Sequence, residues 1–167
     1  HQSKVHPMAF LDAMLVHGSG GRVGLSRGEP YTPNDAIVDA LQRSFMLAFD
    51  NVTPTGKRTY LALDVSGSMA GGLCAGSVAL TPRAGSAALA LVTAAVEPRH
   101  VIRGFTAGPG WGTRDAVMTP LNFTSRSTLM DAIRAVDGLP FGGTDCSLPI
   151  LDAMHNGIDV DTFVVLT

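Results

Sequence analysis

The chain has 167 residues, the length of one ordinary domain or of one domain with part of a neighbour. Hydrophobic residues make up 46% of it and charged residues 16%, a balance that excludes intrinsic disorder as a description of the whole chain. The net charge of −2 gives no electrostatic sign of nucleic-acid binding, so such a function has to be argued from local features.

Cysteine content and hydropathy exclude two further classes of protein. Cys74 and Cys146 are too few for a disulfide scaffold and match no zinc pattern, so the reducing cytoplasm is the expected location. The longest apolar stretch, 87–96, is about half of what a bilayer requires, so we expect no transmembrane helix and no membrane partner. Because the chain begins at His1 and stops at Thr167 after an apolar run, we expect it to be a fragment that extends naturally at both ends.

The first predicted elements are two helices separated by a glycine-rich loop. Pro7 at a helix start and helical apolar spacing predict a helix over 6–17. Residues 18–31 are rich in glycine and are predicted to form a loop, which also contains Arg22 and Arg27. This loop matches neither glycine-rich phosphate-binding pattern and follows a helix instead of a strand, which argues against a nucleotide site.

The second helix is predicted over 32–49. Thr32 is a suitable N-cap, and Pro33 suits the first helical position. Apolar residues recur every four positions and form the predicted buried face: Ile37, Leu41, Phe45 and Phe49.

The pattern changes at 51–58, a turn-rich linker that marks the candidate domain boundary. Lys57 and Arg58 at its end are expected to pack the two parts of the chain together. Beyond the linker, the sequence predicts strands over 59–64, 101–106, 116–121 and 162–166 and helices over 83–96, 128–136 and 146–155. The weak strand 116–121 is expected to be antiparallel at the edge. This alternation predicts an α/β open sheet with flanking helices, whose sites lie beyond the carboxyl ends of its strands.

One carboxylate and two hydroxyls follow the first predicted strand at intervals of two residues. On a curling loop, Asp64, Ser66 and Ser68 can turn their oxygens toward one point. Oxygen ligands of this kind suit Mg²⁺ or another hard divalent cation. A second loop, 142–145, can reach the same edge of the sheet and add the hydroxyl of Thr144. The alternative is a hydrogen-bonded turn at the strand end without a metal.

Asp-x-Ser-x-Ser after a hydrophobic strand, followed later by a Gly-Thr-Asp loop, resembles the metal-ion-dependent adhesion site of von Willebrand factor A domains. The resemblance implies that four side chains bind or orient the metal directly or through water: Asp64, Ser66, Ser68 and Thr144. It also implies a further Asp, which we expect directly after Thr167. Asp145 is left out of the ligand set, because a role at the N-terminus of the next helix explains it equally well.

Four ordered motifs across nearly the whole chain are similar to the Ro autoantigen family, in bacterial or related form. They lie at 4–7, 54–58, 64–69 and 142–149. In that family a HEAT-like ring of helical repeats, the TROVE module, precedes an A domain. The resemblance implies that 1–50 is the C-terminal end of the TROVE module, 51–58 a linker, and 59–167 a C-terminally incomplete von Willebrand factor A-like domain.

The family's function is RNA binding. The resemblance implies a non-enzymatic ribonucleoprotein component that binds small structured noncoding RNA of the Y type and misfolded RNA ends, in RNA quality control or maturation, with an exoribonuclease as a further partner. Arg22 and Arg27 become candidate contacts to RNA phosphates, the alternative being a solvated loop. The alternative function is a protein-interaction module whose metal captures an acidic residue of a partner. A third hypothesis is that the protein is a subunit of an ATP-driven metal chelatase.

Overall fold

The computed structural model describes residues 6–23, 29–50, 52–108, 116–124, 126–139 and 142–167. Contacts within the chain divide it into two compact units. The first consists of His1–Val52 and Leu73–Leu80, and the second of Thr53–Gly72 and Thr81–Thr167. The segment 73–80 therefore groups with the helical residues, although in sequence it lies between a strand and a helix of the second unit.

The first unit is built on two helices that pack against each other, α1 (Pro7–Gly18) and α2 (Asp35–Leu47). α1 matches its prediction to within one residue at each end. α2 begins later than predicted because Asn34, a stronger N-cap than Thr32, accepts the amide of Ala36 at 3.0 Å. Of the four residues predicted as its buried face only Phe45 is fully buried. Ile37 is exposed, and Leu41 and Phe49 are partly buried.

Asp12 of α1 binds the segment 73–80 within the same unit. Its carboxylate accepts hydrogen bonds from the Ser77 hydroxyl and from the amides of Val78 at 3.4 Å and Ala79 at 3.2 Å. No local pattern indicated this contact, because Asp12 and Ser77 are 65 residues apart in the chain.

The second unit contains a four-stranded sheet in the order β3-β2-β1-β4. Its strands are β1 (Thr59–Asp64), β2 (His100–Thr106), β3 (Val117–Pro120) and β4 (Thr162–Leu166). β1 pairs in parallel with both β2 and β4, and β3 pairs antiparallel at the edge, as predicted. The carboxyl ends of β1, β2 and β4 therefore lie together, at what we call the carboxyl edge of the sheet.

Helices cover both faces of this sheet. They are α3 (Pro82–Val96), α4 (Leu129–Asp137) and α5 (Leu148–His155). α5 packs on the face that carries Tyr60, where Leu148 joins the same buried cluster. Gly104 lies beside Leu63 on the opposite face, against the side chain of Leu139, which follows α4. The predicted α/β open sheet with flanking helices is confirmed.

Arg58 makes its ion pairs within the second unit. Its guanidinium pairs with Asp161 at 2.6 Å and Asp159 at 3.0 Å, in the turn before β4. Its backbone amide also donates to Asp161 at 2.8 Å. The side-chain hydrogen bond from Arg58 is the main reason why the pKa of Asp161 is held below its usual range.

The structure describes both cysteines and the lengths of the helices, the two features from which the sequence excluded a disulfide scaffold and a membrane span. Cys74 and Cys146 are both free thiols, and Cys146 is exposed. None of the helices in the described part of the chain combines the length and the apolar character that crossing a bilayer requires.

Candidate metal centre

Asp64 is the centre of a polar cluster at the carboxyl edge of the sheet. It is the last residue of β1, and only 1% of it is exposed. Its Oδ1 accepts the amide of Ser66 at 2.7 Å, which is the turn that the sequence left open as an alternative. Its Oδ2 accepts the hydroxyls of Thr144 and Thr167, each at 2.8 Å. The turn and the converging hydroxyls are therefore present together.

The two serines present a pair of oxygens beside this carboxylate. Ser66 Oγ and Ser68 Oγ lie 3.0 Å apart. The pair is shaped by a short 3-10 helix, Gly67–Ala70, which the sequence pattern did not indicate. In this helix the buried Met69 donates its amide to the Ser66 carbonyl at 3.1 Å. Ser66 is buried and Ser68 is exposed, so the pair reaches from the protein interior to solvent.

The loop that carries Thr144 is fastened to the end of β2 by its backbone. Gly143 donates its amide to the Gly108 carbonyl at 2.9 Å, and its own carbonyl accepts the amide of Ala107 at 2.8 Å. A Cβ atom at Gly142 would lie 2.7 Å from the carbonyl atoms of Gly108 and would collide with Thr106 Oγ1. Gly142 thus allows a close backbone approach that brings Thr144 to Asp64.

Asp145 acts at a helix start. Its Oδ1 accepts the hydroxyl of Ser147 at 2.6 Å and the amide of Ser147 at 2.9 Å, immediately before α5. These two bonds lower the pKa of Asp145, the hydroxyl contributing most. Of the two roles that the sequence left open for Asp145, the structure supports the one at the N-terminus of α5.

Thr167 is a member of the cluster that sequence reasoning missed. Leu166 pairs with Leu63 in the parallel register. The residues that follow them, Thr167 and Asp64, are therefore neighbours. A hydroxyl residue directly after the predicted strand 162–166 was the available signal. The prediction instead concerned the residue expected after Thr167.

The chemistry of the donor set fits a small, hard cation. Among the described residues, His, Cys, Asp and Glu side chains form no cluster of three or more that could hold a metal, so hydroxyls would have to contribute. Neighbouring ligands of an octahedral Mg²⁺ lie about 2.9 Å apart, given bonds of about 2.0–2.1 Å. The two serine oxygens at 3.0 Å, and Thr144 Oγ1 and Asp64 Oδ2 at 2.8 Å, have this spacing. The four predicted ligands thus fit Mg²⁺ in type, and within each of the two pairs the oxygens have the spacing of neighbouring ligands.

The candidate RNA contacts belong to the first unit. Arg22 is exposed in the turn after α1. Arg27 lies outside the described residues. Their role in phosphate binding stays a prediction.

Comparison with known proteins gives consistent matches. The family model described as the Ro60 vWA domain matches residues 58–167. A relative from Deinococcus radiodurans, described as RNA-binding protein RO60, is 42% identical over 167 residues, or 99% of this chain. A relative from Caenorhabditis elegans with the same description is 34% identical over 166 residues.

A solved structure agrees with the fold. The crystal structure of the Deinococcus radiodurans RO (RSR) protein matches 97% of this chain with a TM-score of 0.70 and 41% identity. The chain spans 30% of that structure, and 29% and 24% of the two curated relatives. The von Willebrand factor A-like architecture of the second unit is thereby confirmed.

Proposed function

This chain belongs to the Ro60 vWA domain family, as its motifs implied, and on that basis we propose that it acts as an RNA-binding protein of the Ro type. The observation that carries the proposal is the match of two relatives described as RNA-binding protein RO60 along 99% of the chain. That match includes the helical residues before the A domain as well as the A domain itself.

The RNA that we propose is small, structured noncoding RNA of the Y type, together with the ends of misfolded RNA. The protein would act as a ribonucleoprotein component in RNA quality control or maturation, in the cytoplasm, with an exoribonuclease supplying the chemistry. It would contribute by binding and not by catalysis. Arg22 and Arg27 are the proposed phosphate contacts, because an arginine side chain pairs well with phosphate oxygens.

A divalent cation, Mg²⁺ first, is the second part of the proposal. Its ligands, direct or through water, would be Asp64, Ser66, Ser68 and Thr144. Support comes from the oxygen chemistry of these groups and from their spacing. When bound, the cation would supply positive charge that attracts an anionic oxygen of a partner. Asp64 would neutralise half of its charge, and the three hydroxyls would orient it without neutralising more.

RNA binding is tested by gel shift with a small structured RNA at modest salt, with an unstructured RNA of equal length as the control. We expect tighter binding of the structured RNA. Replacement of Arg22 and Arg27 by alanine should weaken binding and lower the salt slope by about one for each phosphate that the protein no longer neutralises. Absence of binding by the intact protein to any structured small RNA would overturn the function.

The metal site is tested by calorimetric titration with Mg²⁺. Asp64→Ala should abolish binding, because it removes the one carboxylate in the proposed ligand set. Asp145→Ala is the matched control, since Asp145 binds Ser147 at the start of α5. Equal binding heats in wild type and Asp64→Ala would remove the metal assignment.

The alternative function is a protein-interaction module in which the metal captures an Asp or Glu of a partner. It is favoured by the ligand set, because one carboxylate leaves a bound divalent cation with net positive charge. Pull-downs after nuclease or chelator treatment separate the two functions. Loss of the partner to nuclease supports RNA binding, and loss to chelator alone supports the protein interaction.

A further inference from the structure

Arg83 is a buried arginine directly beneath the candidate metal loop. It lies in the first turn of α3 and is 1% exposed. One nitrogen of its guanidinium donates to the carbonyl of Val65 at 2.8 Å and to the carbonyl of Ser66 at 3.0 Å. These two carbonyls belong to the loop that connects Asp64 to Ser68.

Burying a cation at this position carries a free-energy cost. Burial lowers the pKa of Arg83, and the negative charges of Asp137 and Asp64 oppose that shift. Asp137 at the end of α4 is 3.8 Å away and is itself more than half exposed, so it compensates the buried charge only in part. An apolar side chain of similar volume would avoid the cost of burying a charge. The hydrogen bonds that Arg83 donates to the carbonyls of Val65 and Ser66 offset part of that cost and tie the loop to α3.

The geometry of the peptide bond shows how the hydrogen bonds from Arg83 orient the loop after Asp64. A planar trans peptide points its C=O and its N–H in opposite directions. The carbonyl of Val65 and the amide of Ser66 belong to one peptide, so when Arg83 holds the carbonyl, the amide points the other way, where it donates to Asp64 Oδ1 at 2.7 Å. The next carbonyl, that of Ser66, is shared by Arg83 and the Met69 amide. Arg83 thus fixes the two peptides that flank Ser66, the second of which leads into the short helix that carries Ser68.

We propose that Arg83 is a positioning residue that holds the loop between Asp64 and Ser68 rigid and thereby makes the site prefer Mg²⁺ over Ca²⁺. The inference rests on the proposed metal site. Mg²⁺ demands nearly ideal octahedral geometry, whereas Ca²⁺ accepts irregular coordination at about 2.3–2.6 Å. Serine oxygens held 3.0 Å apart match the octahedral edge of Mg²⁺, about 2.9 Å, so a loop that keeps them there favours the ion that tolerates less departure from its ideal geometry.

The test compares Mg²⁺ and Ca²⁺ titrations of the intact protein with wild type, Arg83→Met and Arg83→Lys. Arg83→Met removes both hydrogen bonds and should weaken Mg²⁺ binding by about tenfold or more, with a smaller effect on Ca²⁺. Arg83→Lys keeps the charge and an amine donor and should recover part of the Mg²⁺ preference. Arg58→Met, an arginine at the other end of β1, and Leu91→Ala, a buried residue further along α3, control for loss of an arginine and for loss of stability.

Hydrogen exchange without metal gives an independent measurement. The amides of Ser66 and Met69 should exchange faster in Arg83→Met, while the amides of the central residues of β1 keep their protection. A folded Arg83→Met protein with an unchanged ratio of Mg²⁺ to Ca²⁺ affinity, or with unchanged exchange of these two amides, would overturn the inference. Wild type that binds neither cation would overturn the metal site itself, which distinguishes the two failures.

Discussion

At the scale of single residues, the distinctive group is a buried carboxylate whose hydrogen-bond donors are uncharged. Asp64 receives one amide and two threonine hydroxyls. A buried carboxylate needs such partners, because burial without hydrogen bonds is costly. A hydroxyl can also rotate and present its oxygen lone pairs to a cation. The same side chains therefore satisfy Asp64 without a metal and could contribute to its coordination with one.

The two threonines allow their roles to be separated. Thr144→Val removes a proposed ligand and should weaken Mg²⁺ binding by about tenfold or more. Thr167→Val removes a hydrogen bond to Asp64 but no proposed ligand, so it should lower the free energy of unfolding by about 1–2 kcal/mol and weaken Mg²⁺ binding less. Calorimetric titration and denaturant unfolding measure the two effects. Equal decreases of affinity in both variants would contradict this division.

At the scale of elements, loops and helices bring residues from distant parts of the chain to the carboxyl edge. The loop at 142–145 is tied to the end of β2 through backbone groups, and α5 begins three residues after it, at Leu148. α5 is fixed to the sheet by Asp152, which accepts the Tyr60 hydroxyl at 2.6 Å and pairs with Arg103 at 2.9 Å. The position of Thr144 thus depends on contacts at both ends of a short segment.

The two adjacent glycines give a matched pair of variants. Gly142→Ala places a Cβ against Thr106 and the backbone of Gly108, and should lower the free energy of unfolding by about 1–3 kcal/mol and weaken Mg²⁺ binding. Gly143→Ala meets its nearest atom at 3.7 Å, an ordinary contact, and should change both quantities less. Denaturant unfolding and Mg²⁺ titration of the two variants check this. A larger effect at Gly143 would contradict the loop geometry.

The polar contacts of α5 are tested with Asp152→Ala. The change leaves Arg103, whose side chain is 18% exposed, without its ion-pair partner and should lower the free energy of unfolding by about 3 kcal/mol. Asn156→Ala is the control, because it removes an exposed side chain that also bonds Asp152. Similar decreases of stability in the two variants would show that the ion pair does not hold α5.

At the scale of the whole molecule, the two ends of β1 have different tasks. Asp64 ends the strand with the candidate metal site, whereas Arg58 precedes it and pairs with two carboxylates. Tyr60 lies near the same end as Arg58, and burial, followed by its bond to Asp152, raises its pKa. Asp161 and Tyr60, whose pKa values change on folding, thus make the stability of this end of the sheet depend on pH.

The expected dependence has opposite signs at the two extremes. The pKa of Asp161 is depressed by Arg58, so its contribution is present above the ordinary value of 3.8 and is lost as the pH falls below it. The pKa of Tyr60 is raised, so its contribution is complete below the ordinary value of 10.0 and is lost as the pH rises above it. The free energy of unfolding, measured across pH, should decrease at both the acid and the alkaline extreme. Asp161→Asn should flatten the acid side and Tyr60→Phe the alkaline side, and unchanged slopes in these variants would contradict the assignment.

Much of this protein follows from local sequence. Apolar runs and helical spacing predicted all four strands and all five α-helices of the described residues, because both periodicities arise within a few neighbouring positions. The same reasoning placed Asp64, Ser66 and Ser68 at a strand end and Thr144 in a loop that reaches it. The N-cap of α2 was misplaced because two capping residues, Thr32 and Asn34, compete within three positions.

Tertiary structure decided which distant residues meet. Thr167 binds Asp64 across 103 positions, Asp12 binds Ser77 across 65, and Arg83 turns inward beneath the loop that contains Ser66. Such contacts depend on strand register and helix packing, which no local pattern specifies. The sequence by itself therefore determined the elements and the chemistry available at the carboxyl edge. The folded structure decided how that chemistry is held, because only packing places one segment's donors against another segment's acceptors.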